Sequence, residues 1–378
     1  MIYLDNSAST LIKPKEVIKA VESALTNFTA NPGRSGHKES IKSAYEILKV
    51  REKVQNLVNT ERPENVIFTL NCTEALNLAI LGSAKKGHII CTENEHNSVL
   101  RPLQKLKDDG VIEFSIAKQK NKKGITREDI ERLIKDNTYM VICNHISNVN
   151  GDIADIENIG KLCHEKKILF LVDAAQSGGH LKIDMIKNNI SFLTLAPHKG
   201  FYAPQGIGCL IIRNNIKLNP IKFGGTGTNS TELYQPQESP ERYESGTLNT
   251  PAILGFGAGI DFVKENQNLI NEKIDDLTTY FHYELSKLPT KIYTHIDNNF
   301  GIVAFNIADF HSSEIANFLD EKWNICVRSG YHCAPEKHKA LKTINQGCVR
   351  VSISYFNNFT DIEKIVSAIK SFCKKNIK

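Results

Sequence analysis

Along the first part of the chain apolar residues recur at helical spacing; from about residue 60 they gather instead into short unbroken runs. Residues 14–59 have the pattern of amphipathic helices, broken by the turn-forming segment 31–37, Asn-Pro-Gly-Arg-Ser-Gly-His. Beyond it, 66–69, 89–92, 141–144 and 169–173 read as strands, and 73–84, 98–108, 127–135 and 155–165 as helices. Two more apolar runs, 191–196 and 207–213, read as buried strands flanking a turn. Strands apolar on both faces are covered on both faces, so the alternation predicts a mostly parallel sheet between helical layers, an α/β class. After Pro251, helices over 252–266 and 269–288 lead to strands at 301–307 and 348–354, which form a smaller α+β unit. The expected division is an arm at 1–14 joining the small domain, a large domain at 15–250 and a small domain at 251–378. Gly255, Gly257 and Gly259 do not follow a strand as a dinucleotide fingerprint requires, and close helix packing is their expected use.

The turn between the runs 191–196 and 207–213 carries His198-Lys199-Gly200. A lysine is rarely held on a loop anchored at both ends by buried strands unless its amine has work to do. An amine aimed in this way can form a Schiff base. Upstream, Ile168-Leu-Phe-Leu-Val-Asp173 is an apolar run ending in a carboxylate, at the strand edge where open α/β sheets bind ligands. An acid there and a lysine on the next strand's loop suit pyridoxal phosphate, the lysine for the imine and the acid for the pyridine nitrogen. The segment Asn71-Cys72-Thr73 opens a helix directly after a strand, and its free amides suit a phosphate; Thr73 as an ordinary N-cap is the simpler reading.

Taken with Tyr3-Leu-Asp-Asn-Ser-Ala-Ser-Thr10, Phe68-Thr-Leu-Asn-Cys-Thr-Glu-Ala75, Glu95-His96, Ser147-Asn-Val-Asn-Gly151, Val172-Asp-Ala-Ala-Gln176, Arg242-Tyr-Glu-Ser-Gly-Thr247 and Arg328-Ser-Gly-Tyr-His-Cys-Ala-Pro335, the chain resembles a cysteine desulfurase or selenocysteine lyase. These belong to the class V aminotransferase branch of fold-type I pyridoxal phosphate enzymes. The Arg328 to Cys333 segment is similar to the SUF-type group, and the tail from His332 to Asn357 to a further desulfurase-like subfamily. The resemblance implies an aspartate aminotransferase-like fold and a homodimer. Cofactor contacts would come from Cys72, Thr73, His96, Asn148, Asp173, Gln176, His198 and Lys199, with Gly246 and Thr247 reaching in from the neighbouring subunit. Asn148 and Gln176 would face the cofactor's phenolic oxygen, and His96 would stack on its ring. Two positions depart from the SUF-type pattern: Ala196 stands where a hydroxyl residue is expected, and Cys72 replaces a small Gly/Thr-type residue.

Cys333 separates reactions within the resemblance. Its loop, flanked by Gly330 and His332, is a poor core site, and an accessible thiol near cations is a nucleophile. Arg350 would bind a substrate carboxylate, with Arg328 as the second candidate. The implied reaction takes L-cysteine, or L-selenocysteine, to L-alanine, with Lys199 as base and the sulfur left as a persulfide on Cys333. A sulfur-acceptor protein is a further expected partner. Selenocysteine-specific lyase, C–S β-lyase, aminotransferase and epimerase chemistry are the alternatives on the same scaffold, and a cofactor-free sulfur carrier is the non-enzyme alternative.

Composition narrows the setting. At 378 residues with 41% hydrophobic and 24% charged side chains, the chain suits a large globular domain plus a smaller one. The net charge of +5 is scattered, so no nucleic-acid footprint stands out; Lys374-Lys375 is expected to be a frayed terminus. No run is long enough for a membrane span, and the first residues lack a charged n-region and an apolar h-region, so secretion is not expected. Nine cysteines without regular spacing argue against a disulfide framework and a zinc site and for reduced thiols in the cytoplasm. Cys91, Cys143, Cys163 and Cys209 sit in apolar runs and are expected in the core.

Overall fold

A computed structural model of the chain describes residues 1–33, 36–121 and 124–377. Arg34 and Ser35, within the expected turn at 31–37, lie outside the described residues. The N-terminal strand β1 (Ile2–Tyr3) is followed by helices α1 (Lys15–Asn27) and α2 (Lys38–Val58). Then come β2 (Val66–Thr69), α3 (Cys72–Gly82), β3 (Gly87–Thr92), α4 (Asn97–Asp108), β4 (Ile112–Ala117), α5 (Arg127–Glu131), β5 (Thr138–Asn144), α6 (Ile156–Glu165), β6 (Leu169–Asp173), β7 (Phe192–Leu195) and β8 (Gly208–Ile212). These strands form a seven-stranded sheet in the order β2-β8-β7-β6-β5-β3-β4. Only β8 runs against its neighbours, antiparallel to both β2 and β7.

Alternation through the buried strands explains the two helical layers. Val141, Cys143, Phe170 and Val172 turn into a core shared with α2, α6 and the start of α7 (Thr250–Ser286). Met140, Ile142 and Leu171 turn the other way, against α3 and α4. Every residue of β5 is buried, as a central parallel strand demands. Cys91, Cys143, Cys163 and Cys209 are buried as expected, and all nine cysteines are free.

Helix α7 runs unbroken for 37 residues, where the sequence suggested two helices. Gly255, Gly257 and Gly259 sit in this helix because neighbours press on it. A Cβ would lie 2.8 Å from Pro204 at Gly255, 2.7 Å from Val50 at Gly257 and 2.1 Å from the Phe201 carbonyl at Gly259.

The remaining strands lie in two smaller sheets. Strands β9 (Thr290–Ile292), β10 (Ile302–Ile307) and β12 (Val349–Ser352) pair antiparallel, with β10 central. Helices α8 (Ser312–Trp323) and α10 (Phe359–Asn376) pack into the same core as β10 and β12. Strand β11 (Ile325–Cys326) pairs in parallel with β1, so the chain's first residues are fastened beside its last third. A short helix, α9 (Pro335–Ala340), follows the Cys333 loop. Lys374 and Lys375 belong to the last turn of α10 rather than to a frayed end, where their charge suits the helix dipole. Arg127–Glu131 is shorter than the expected helix, which ran to residue 135.

One buried ion pair anchors the stretch after β8. Arg51 of α2 meets Glu244 two-pronged, at 2.8 and 2.5 Å, and Glu244 also accepts from the Phe68 amide at 2.6 Å. Gly246 and Thr247 follow directly from this anchor.

Candidate active site

Parallel strands in register deliver their last residues side by side. Asn144 pairs with Asp173, and Asp173 with Thr194, across β5, β6 and β7. At this carboxyl edge lies a cavity of about 260 Å³ whose lining includes Cys72, Thr73, His96, Asn148, Asp173, Gln176, His198, Lys199, Arg328, Cys333 and Arg350. The structure thus brings eleven of the thirteen expected site residues to one cavity. Gly246 and Thr247 line other hollows of the same chain, so within one copy they stand apart from it.

Lys199 is half-buried and its amine makes no hydrogen bond among the described residues. Burial holds that amine below the usual lysine range, and the nearby Asp173 carboxylate pulls it partly back. Asp173 is buried and accepts from the Ala175 amide at 2.9 Å, with Thr194 at 3.5 Å and Asn144 at 3.4 Å. The Cys72 thiol stands 3.9 Å from Asp173; burial, then that carboxylate, raises its pKa, so it stays protonated.

At the start of α3 the N-cap is Asn71, whose side chain accepts from the Glu74 amide at 2.9 Å, and not Thr73. The amides of Cys72 and Thr73, in the first turn, have no acceptor within the helix and remain free for an anion. Ala196 brings no hydroxyl to the lining, but Thr73 and Ser98 do, 2.8 Å apart.

His96 caps α4. Its Nδ1 accepts from the Ser98 amide at 3.0 Å and lies 2.9 Å from the Ser98 hydroxyl, so in the neutral ring the proton sits on Nε2. Burial lowers its pKa, with Asp173 opposing and Lys199 reinforcing the shift, which keeps the ring neutral near pH 7. His198 is pushed down to about 4 by burial, then by Lys199 and Lys13, and its Nδ1 is buried without a partner. Glu95, beside His96, does a different job. Its carboxyl accepts from Thr92 at 2.6 Å and from the Asn144 amide at 2.9 Å, tying two strand ends together, and burial raises its pKa to about 8.

The far wall is the Cys333 loop. Gly330, His332 and Cys333 all have left-handed backbone, at φ of 97°, 49° and 57°, a costly choice for the two that carry a Cβ. Neighbours from across the cavity hold the loop in place: Asn148 donates to the His332 carbonyl at 2.6 Å and the Asn97 amide to the Cys333 carbonyl at 2.7 Å. Cys333 itself is exposed. Arg350, buried on β12, donates to the Asn148 carbonyl at 2.9 Å and to Asp5 at 2.6 Å, which leaves its Nε–H buried without an acceptor. Arg328 is exposed and reaches Asp5 only at 3.8 Å. Gln176 donates to the Ser7 carbonyl at 3.0 Å, tying the N-terminal arm over the site.

Sequence reasoning passed over Asp5, Ser98 and a buried trio next to Cys333. In the trio His332 Nδ1 lies 3.3 Å from His338 Nε2 and 3.8 Å from Cys348 Sγ. Ser98 was detectable as a hydroxyl two residues after His96 at a helix start. Asp5 is paired across 345 residues and leaves no local signal, whereas the trio spans only 6 and 16 residues and is brought together by the turn into α9 and the return to β12.

A lysine amine, a strand-end carboxylate and a helix N-terminus around one cavity suit an enzyme that works with a bound anionic cofactor. The comparisons with known proteins agree. The chain belongs to the aminotransferase class-V family, whose model matches residues 2–365; these are pyridoxal phosphate enzymes. It is similar to a probable cysteine desulfurase from Methanothermobacter thermautotrophicus, with 33% identity covering 96% of this chain and 92% of that protein. A probable cysteine desulfurase from Borreliella burgdorferi is 34% identical over 99% of this chain and 92% of its own length. Among solved structures, the apo cysteine desulfurase from Thermococcus onnurineus NA1 superposes with a TM-score of 0.92 at 30% identity, covering 99% of this chain and 95% of that one.

Proposed function

We propose that this protein is a pyridoxal-phosphate-dependent cysteine desulfurase that converts L-cysteine to L-alanine and leaves the sulfur as a persulfide on Cys333. The observation that carries the proposal is the placing of an exposed cysteine and a half-buried lysine in the lining of one cavity. L-selenocysteine is a second substrate of the same chemistry. A homodimer, with Gly246 and Thr247 completing the partner copy's site, and a sulfur-acceptor protein are part of the reading. So is the division at 1–14, 15–250 and 251–378, which the pairing of β1 with β11 and the separate small core support.

The residues present fit the cofactor. The free amides of Cys72 and Thr73 and the partnerless His198 Nδ1 suit its phosphate, Asp173 its ring nitrogen, and the unengaged Lys199 amine its aldehyde. Asn148, Gln176 and His96 complete the lining around its ring. When bound, pyridoxal phosphate supplies an electron sink for a carbanion at the substrate Cα.

Everything else falls to the chain. Arg350 holds the substrate carboxylate through the guanidinium N–H groups not taken by Asn148 and Asp5, and Arg328 adds positive charge beside it. Lys199, more readily neutral than a solvated lysine, takes the proton from Cα. The Cys333 thiolate attacks the substrate Sγ. A sulfur–sulfur bond forms, the Cβ–Sγ bond breaks, and its electron pair goes to Cβ. A proton from the Nε2–H of His96 or from Lys199 then completes the methyl group, and a further proton, delivered by Lys199, returns to Cα to give alanine.

Incubating the cofactor-loaded protein with L-cysteine and dithiothreitol, and measuring alanine, pyruvate and sulfide, tests this reading. Alanine matched by sulfide supports it. Pyruvate in place of alanine assigns the chain to C–S elimination.

A further inference from the structure

Behind the Cys333 loop, three side chains from three segments converge on a point that the proposed reaction does not use. His332 belongs to the loop, His338 to α9, and Cys348 to the residue before β12. All three are buried, and their ligand atoms lie within 4.8 Å of one another. The distances are informative. Two nitrogens bound about 2.0–2.1 Å from a tetrahedral zinc ion sit roughly 3.3–3.4 Å apart, and a nitrogen and a sulfur bound about 2.3 Å away sit roughly 3.6 Å apart. The observed separations are 3.3 Å for His332 Nδ1 to His338 Nε2 and 3.8 Å for His332 Nδ1 to Cys348 Sγ.

The surroundings fit a bound ion as well. His338 Nδ1 lies 2.7 Å from the Thr343 hydroxyl, which in turn donates to the His338 carbonyl at 3.4 Å. The hydroxyl therefore accepts from Nδ1–H, and His338 Nε2 presents a lone pair to the point of convergence. This is the outer hydrogen bond that fixes the tautomer of a metal-bound histidine. Without an ion, Nδ1–H of His332 donates to His338 Nε2. Cys348 packs in a buried apolar cluster with Val149, Tyr293, Ala304 and Ala334.

We propose that His332, His338 and Cys348 form a site for a zinc-class divalent cation, with one coordination position left to water, which ties the Cys333 loop, α9 and β12 together. Binding would release the Cys348 thiol proton to solvent, and the ion would become the loop's main anchor. The proposal stands independently of the reaction assigned to the cavity.

The test uses the full chain loaded with pyridoxal phosphate. Wild-type, Cys333→Ser, Cys348→Ala and Thr343→Val proteins are dialysed against zinc alone, bound metal is counted, and the zinc X-ray absorption edge is recorded. The expected result is one zinc per chain in wild type and in Cys333→Ser, with one sulfur scatterer at about 2.3 Å and nitrogens at about 2.0 Å. Cys348→Ala should remove the sulfur scatterer, and Thr343→Val should weaken binding about 10- to 100-fold while keeping it. Less than stoichiometric zinc in wild type would overturn the site. So would zinc that survives Cys348→Ala but is lost in Cys333→Ser, which would place it on the exposed thiol.

Discussion

The two walls of the cavity are built on opposite plans. The lysine wall is made of strand ends: Asn144, Asp173 and Thr194 are held in register by neighbouring strands, and their carboxyl ends point to one edge. The cysteine wall is a loop with two non-glycine residues in left-handed backbone, fastened by hydrogen bonds from Asn97 and Asn148. In the proposed reading the lysine wall is the seat of the cofactor. The cysteine wall presents an exposed thiol from a loop outside the sheet. Holding one reactant rigidly while leaving the sulfur carrier accessible suits an enzyme that must hand its product on to another molecule.

The sharpest way to separate the two walls is to remove one reactive group from each. Lys199→Ala and Cys333→Ala should both lower alanine formation at least about a thousandfold. Only the lysine variant should also lose the cofactor's near-visible absorbance, which a spectrum of the purified protein will show. Loss of that band in Cys333→Ala would mean that the loop, too, holds the cofactor.

Two buried ion pairs, one beside β2 and one beside α9, should resemble each other. Glu244→Ala strands Arg51 under the sheet side, and Asp152→Ala strands Lys337, which pairs with Asp152 at 3.2 Å below the loop side. Each should cost about 3–5 kcal/mol, because an unpaired charge is left buried, and denaturant unfolding measures it. A much smaller loss for Asp152→Ala would mark the loop side as open to water.

Acid should act on both sides. His145, behind β5, and His338, behind the loop, are each held down to about 4 by burial against an ordinary 6.5. The unfolded chain therefore binds protons that the native state refuses. Their contribution is complete above pH 6.5 and is lost as pH falls toward 4, by on the order of 3 kcal/mol for the fully buried His145. Unfolding midpoints measured between pH 7 and pH 4 should show this loss, and His145→Gln should remove part of it.

The smallest effect lies in the loop itself. At Gly330, with φ of 97° and nothing within 4 Å of an added Cβ, alanine should cost about 1 kcal/mol of backbone strain and no more. A larger drop in melting temperature would show that the loop is packed more tightly than its exposure suggests.

The same contrast decides how much could be read from the residues alone. The lysine wall was legible because strands buried on both faces leave continuous apolar runs, and the carboxylate, lysine and helix start lie at their ends. Strand β4 escaped notice because it is an edge strand with Glu113 exposed and its central residues half-buried, so it makes no such run. The Cys333 loop was recognisable as accessible, but not what holds it. Arg350 and Asp5 are 345 residues apart, Asn148 and His332 are 184 apart, and no local pattern announces such pairs. Helices α8 and α10 were passed over, although His311 with Glu314 and Asn358 with Asp361 form capping boxes at their starts.

The most direct test of sulfur passing from one wall to the other is the mass of the Cys333 peptide after one turnover with L-cysteine in the absence of added thiol. The prediction is a peptide heavier by one sulfur atom, in step with one alanine per active site. An unmodified Cys333 peptide alongside released pyruvate, or alongside alanine with its sulfur on another residue, would contradict it.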